Sequence, residues 1–338
     1  MQKTPLYFTE TKASDPASPV AIPIADLEHH AQDWLFDGQY RNHSKNTIVG
    51  KRDVIKKLMW FLRLRGYSTC GVTELRQFLA YIATGHLEPG GRWGNPRLTK
   101  PVKPRTVAYY YVYLQGLFRW LVAEGVLPGS PLERIAKPVA RSQQVQGFTQ
   151  EQVQALLAAA QRSLHPRRNT AIIYVLFDTG IRVSELCGLR MCDLELSARR
   201  LTVLGKGSKR RDVHIGRSTA KAVFSYLREH PRTSEDLVFL SDRCTRSGEH
   251  LTRSGVLQLI ERLGRAANIQ LTRASPHTFR HTFAIEFLRN GGDLLSLKAL
   301  LGHATLSMTS KYIALAQADI ANQHRLHSPA DRLKARPD

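Results

Sequence analysis

The 338-residue sequence is short of cysteine, of acidic residues relative to basic ones, and of long apolar runs. Its four cysteines, Cys70, Cys187, Cys192 and Cys244, show no paired CxxC spacing. That argues against a disulfide framework and a structural zinc site, and it fits a reducing compartment. Cys187 falls in an apolar helical pattern and is expected in a core. No apolar stretch reaches membrane-spanning length,. The opening MQKTPLYFTETKASDP holds no apolar h-region, so no secretory leader is expected,. The expected location is the cytoplasm, on the nucleoid. Carboxylates are scattered rather than clustered, which disfavours a metal-dependent nuclease,. The run LGKGSKRR lacks the GxxxxGK[ST] spacing of a nucleotide-binding P-loop,. No metal, cofactor or ATP is expected. Internal repeats and low-complexity tracts are also missing.

Basic charge is abundant. Lysine and arginine number 49 against 28 acidic residues, giving a formal net charge of +21. Such a balance suits a polyanion, nucleic acid before an anionic membrane. The excess is not confined to one tail: residues 1–147 carry 20 Lys/Arg against 11 Asp/Glu, and the remainder 29 against 17.

The length predicts two domains. Residues 1–23 are polar and rich in proline, and read as a flexible arm,. Beyond them the pattern is helical. Leu27, Trp34 and Leu35 mark one apolar face; Ile55, Leu58, Met59 and Leu62 a second; Leu75, Phe78, Leu79 and Ile82 a third; Tyr110, Leu114, Leu117, Phe118 and Leu121 a fourth,. A bundle of four or five helices is expected over 24–137. Two of its helix starts are basic: Lys45, Lys51 and Arg52 at one, Lys103 and Arg105 at the other. Helix N-termini with such residues bind phosphate well, though the same residues serve equally as ordinary caps. Residues 85–102, GHLEPGGRWGNPRLTKPV, read as a long loop, and 138–147 as a polar linker.

The second domain, 148–321, is expected to be mostly helical with a small antiparallel β-sheet, which makes the whole chain mainly α. Thr149 with Gln152 forms a capping box. Arg200–Leu204 and residues 211–215 alternate around a Gly205-Lys206-Gly207-Ser208 turn, the pattern of a hairpin,. Ser275 caps a helix beginning at Pro276. His277 and Arg280 share its first-turn face. Asp293 caps the next helix, Gly302 ends it beside His303, and Tyr312 is expected on a helix of two to four turns. The segment 322–338 is a polar tail.

Arg182, Lys206, His277, Arg280, His303 and Tyr312 together form a kit for phosphodiester chemistry. Attack at phosphorus builds negative charge on the non-bridging oxygens, which fixed cationic donors stabilise without a metal. An arginine fork holds two such oxygens and stays charged. Guanidinium groups beside Tyr312 should lower its pKa from about 10. His277 and His303 would donate hydrogen bonds or accept the phenol proton, and Lys206 at a hairpin tip would protonate the leaving 5′-oxygen. The product is a 3′-phosphotyrosyl ester that rejoins without ATP. Taken singly each residue has a plainer reading. An isolated tyrosine on an amphipathic helix is usually core. His277 and His281 have i,i+4 metal-ligand spacing, but Thr278 stands where HExxH needs glutamate,.

TGIRVSEL, LTVLGKGSKRRDVHI, SPHTFRHTFA, LLGHAT and SKYIAL, in this order, resemble the motif series of the tyrosine recombinases, the phage integrase family of Xer- and integrase-like proteins. The resemblance covers residues 24–321 and is looser in the N-terminal half. It places the first family arginine at Arg182 with its acidic neighbour Glu185, the hairpin lysine at Lys206, the HxxR pair at His277 and Arg280, the next histidine at His303 and the nucleophile at Tyr312. His281 falls beside them in a supporting place, and Lys209 and Arg211 join the residues expected to meet DNA. The resemblance implies a SAM-like core-binding domain over 24–137 and a catalytic domain over 148–321, closed as a clamp on double-stranded DNA. It implies a homotetramer on two sites, a Holliday junction, an exchanged C-terminal helix, and accessory DNA-bending or directionality proteins. The polar arm and the 85–102 loop exceed compact Xer-like members and favour an integrase or transposase of a mobile genetic element. The competing readings are a catalytically silent DNA-binding protein on the same scaffold and a single-strand-relaxing, topoisomerase-like relative.

Overall fold

The computed structural model describes residues 20–86, 90–139, 146–205, 209–229, 232–241, 250–313, 324–325 and 328–330. Two compact units are present, Met1–Gln143 and Gln144–Asp338. Both are mainly helical, as the periodicity requires.

In the first unit, α1 (Ile24–Tyr40), α2 (Lys45–Leu64), α3 (Val72–Ala83) and α4 (Pro104–Ala123) bury the four expected faces. Ser44 caps α2 by accepting from the Thr47 backbone N–H at 3.2 Å, and Pro104 opens α4,. One feature escaped the helical pattern. Ala21–Pro23 (β1) and Thr69–Gly71 (β2) pair antiparallel, with Ile22 opposite Cys70. Three-residue strands are too short to show a period of two. The expected arm therefore ends in a strand, and its residues 1–19 lie outside the described residues.

The 85–102 segment is pinned rather than loose over its described part. Arg92 donates to the carbonyls of Thr84 at 3.2 Å and Lys100 at 2.5 Å, closing the loop across its base. Trp93, at φ 62°, lies against Tyr81, Trp60 and Phe78 at centroid distances of 5.2, 5.7 and 5.9 Å. Aromatic packing of this kind offsets a left-handed backbone that a bulky residue rarely adopts.

The second unit is built on α5 (Gln150–Gln161) and α6 (Pro166–Thr179). The Thr149–Gln152 capping box opens α5. The expected linker runs to residue 147, and its residues 140–145 lie outside the described residues. Phe148 belongs to the core of the second unit, its N–H donating to Thr282 Oγ1 at 2.8 Å. After α7 (Val183–Cys187), β3 (Leu194–Glu195), β4 (Arg200–Leu204) and β5 (Arg210–His214) form an antiparallel sheet in that order. The hairpin is the expected one, shifted by a residue at β5, and β3 is an addition. Then follow α8 (Arg217–Leu227), α9 (Arg253–Ala266), α10 (Pro276–Arg289), α11 (Leu294–Leu301) and the single turn α12 (Ser307–Ser310). Tyr312 follows that turn and precedes Ile313, which is helical; the rest of the helix of two to four turns expected around it lies outside the described residues.

Candidate active site

The site is assembled at the C-terminal end of α11. The last carbonyls of a helix have no partner inside it and carry the negative end of its dipole. Here they receive three guanidinium groups. Arg211 Nε donates to Leu300 O at 2.8 Å, Arg280 Nη2 to Leu301 O at 2.6 Å, and Arg182 Nη2 to Gly302 O at 3.0 Å. Gly302 ends α11 at φ 61°, and His303 follows.

Each arginine is delivered by a local signal. Arg280 stands on the first turn of α10, where Ser275 caps by accepting from Thr278 N–H at 3.2 Å. Its second Nη donates to Gly180 O at 2.8 Å. Gly180 closes α6 at φ 58°, and a Cβ there would fall 2.5 Å from the Phe283 ring, so only glycine lets α6 meet α10 so closely,. Arg182 follows two residues later. Its N–H donates to Glu185 Oε2 and its Nη1 to Oε1, both at 2.8 Å. Burial raises the Glu185 pKa, but hydrogen bonds from Arg211 and the Arg182 backbone, with their charges, hold it below its usual range overall. One buried carboxylate thus offsets repulsion among the cations around it. Burial, then Arg182, lower the Arg280 pKa to about 10, which leaves it charged at neutral pH.

His303 Nδ1 lies 2.9 Å from Thr309 Oγ1, leaving Nε2 for a ligand. His277 lies on the outer face of α10, its pKa lowered by desolvation and by Arg280. Tyr312 is 1% exposed and packs with Ala284, Ile285, Leu297 and Leu301. Its hydroxyl lies 2.7 Å from His281 Nδ1. The expectation of a lowered phenol pKa is corrected: burial raises it, and the opposing charge of Arg280 is the smaller effect. Lys206 lies outside the described residues; the strands flanking it pair as far as Leu204 and Arg210.

Among the expected phosphate contacts, Lys45, Arg52, Lys103 and Arg105 in the first unit and Lys209 in the second are exposed. Two are not free to meet DNA. The Lys51 ammonium is buried, 3.9 Å from the centroid of the Trp34 ring, with its pKa lowered by desolvation. Arg211 points inward with its donors occupied. Sequence reasoning also missed the His281 contact with the Tyr312 hydroxyl and the Thr309 support of His303. Among the described residues, the His/Asp group spaced for a cation is His29, His30 and Asp33 on α1. Its imidazole nitrogens lie 3.8 and 3.5 Å from the carboxylate, distances of solvated ion pairs.

Burial, then neighbouring cations, hold His281 and His303 at about 4. Unfolded histidines take up a proton near pH 6.5. Because the folded values are depressed, the stability these rings contribute is present above about pH 6.5 and lost as pH falls toward 4. Calorimetry should show Tm falling across that interval, and less so for His303→Gln. A flat profile would mean the rings protonate freely in the folded state.

Residues 146–319 match the model of the phage integrase family. Tyrosine recombinase XerD of Pseudomonas aeruginosa is 33% identical over 320 residues, covering 90% of this chain and 99% of that protein. Tyrosine recombinase XerD of Listeria monocytogenes is 32% identical over 237 residues, covering 67% of this chain and 77% of the relative. The same fold occurs in the Tn1549 transposon integrase solved with circular intermediate DNA (TM-score 0.67, 18% identity, 90% of this chain and 100% of that one). It also occurs in XerH site-specific recombinase bound to a palindromic difH substrate (TM-score 0.63, 20% identity, 89% and 83%).

Proposed function

The chain belongs to the phage integrase family and is a tyrosine-type site-specific recombinase; from that premise we propose that it cuts and rejoins double-stranded DNA through Tyr312. The carrying observation is that Arg182 and Arg280, borne on different elements, end on adjacent carbonyls of one helix, immediately before His303. A scissile phosphate takes the place of those carbonyls as acceptor for the guanidinium forks, and His303 Nε2 and His277 donate to it. The phenol proton passes to His281 Nδ1, the atom it already contacts. The Tyr312 oxygen bonds to phosphorus as the P–O5′ bond breaks, and Lys206 supplies the proton that makes the leaving 5′-hydroxyl. Attack by a 5′-hydroxyl from a second duplex reverses the step and exchanges strands through a Holliday junction. No metal or nucleotide enters the balance.

Residues 24–137 serve as the core-binding domain, with Lys45, Arg52, Lys103 and Arg105 on phosphates, and 148–321 as the catalytic domain. A homotetramer on two sites performs the exchange in the cytoplasm, on the nucleoid, with accessory DNA-bending or directionality proteins where the sites require them. The resemblance to XerD supports the chemistry. The Arg92- and Trp93-anchored loop favours integration, excision or transposition of a mobile element as its use.

The test is a supercoiled plasmid carrying two copies of the duplex that Tyr312→Phe protein enriches from genomic DNA. Deletion or inversion between the copies is expected. Relaxed topoisomers alone would make the protein topoisomerase-like, and binding without any product would make it a silent binder.

A further inference from the structure

The hairpin arginine Arg211 has the wrong surroundings for a DNA contact. It lies opposite Val203 in the β4–β5 ladder, on the inward face of β5 shared with Val213. Its side chain is 15% exposed. All three guanidinium nitrogens are engaged: Nη1 and Nη2 donate to the two oxygens of Glu185, each at 2.9 Å, and Nε donates to Leu300 O at 2.8 Å. Gly302 makes room for the group: a Cβ there would fall 3.1 Å from Nη1 and 3.2 Å from Cζ. The slot is shaped for a planar fork, and lysine cannot span its acceptors.

We propose that Arg211 is a positioning residue for strand cleavage, locking β5 to Glu185 and to the end of α11. Glu185 in turn holds Arg182 through both its side chain and its backbone. Arg211 therefore sets where Arg182 stands relative to Arg280 and His303. It also anchors β5, the strand that follows Lys206 in the sequence. The proposal rests on the strand-cleavage reading given above. A displacement of about 1 Å among reacting groups costs on the order of 100-fold in rate.

The experiment compares wild type, Arg211→Lys, Arg211→Met, Lys209→Ala, Glu185→Gln and Glu185→Gln/Arg211→Met on a nicked suicide duplex carrying the enriched site. Single-turnover adduct formation is measured at saturating DNA, and affinity is measured separately against salt. Both single Arg211 variants are expected to cleave on the order of 100-fold more slowly while binding within about threefold of wild type. Their salt slope should be unchanged, whereas loss of a true phosphate contact, as expected for Lys209→Ala, lowers it by about 1. The double variant should lose less than the product of the separate Arg211→Met and Glu185→Gln losses, because the two residues are coupled. In DNA-free protein, the carbon-13 signal of the Glu185 carboxyl should titrate at higher pH in Arg211→Met than in wild type. Near-wild-type cleavage by Arg211→Lys would overturn the proposal, as would a loss confined to affinity and salt slope or an unmoved Glu185 titration. Failure of wild type itself to form an adduct would overturn the strand-cleavage reading, while the Glu185 titration would still decide the linkage.

Discussion

Tyr312→Phe protein is expected to bind its DNA site with unchanged affinity and to form no covalent complex with it. Phenylalanine keeps the ring that packs on Ala284, Ile285, Leu297 and Leu301 and loses only the hydroxyl and its contact with His281. The fold should therefore survive. The oxygen is the proposed nucleophile, and the nearby Thr309 hydroxyl is engaged with His303 Nδ1. Adduct formation should fall below about one-thousandth of the wild-type rate, a barrier increase of about 4 kcal/mol or more. Gel electrophoresis in detergent reads the adduct and a mobility shift reads the binding. Residual adduct would move the nucleophile elsewhere. Because Tyr312 is buried, the phosphate must be brought up to it after DNA binds, so the adduct should form more slowly than DNA binds.

Arg182→Lys is the second large effect expected, in spite of its equal charge. Arg182 reaches Glu185 with one Nη and Gly302 O with the other, a span that one ammonium cannot cover. Losing a preorganised donor to a developing oxyanion costs about 100- to 1,000-fold in rate. The loss should fall on the cleavage step at saturating DNA and leave affinity nearly unchanged. Quench-flow measurement of single-turnover cleavage checks this. Cleavage within a few-fold of wild type would show that a point charge suffices and that no fork acts at this position.

Much of the site was legible because its residues sit at chain punctuation. Ser275 and Pro276 announce the helix that places His277 and Arg280, and Gly302 the stop before His303. Two misplaced residues were also readable. Lys51 is three residues after Ile48 and four before Ile55, on the buried face of α2,. Arg211 is two residues before Val213, on the inward face of β5,. Their charge masked their period. What no local pattern carries is the meeting of distant partners: the Tyr312 hydroxyl with His281, and Glu185 with Arg211. The β1–β2 pair escaped because three residues are too few to alternate, and its register depends on Cys70 and Ile22 being buried together.

The most direct test of the central claim is to trap the protein on the nicked suicide duplex, digest both components and sequence the modified peptide by mass spectrometry. The expected result is a nucleotide joined through its 3′-phosphate to Tyr312. A phosphonucleotide on any other residue, or a link through the 5′-phosphate, would contradict the assignment of Tyr312.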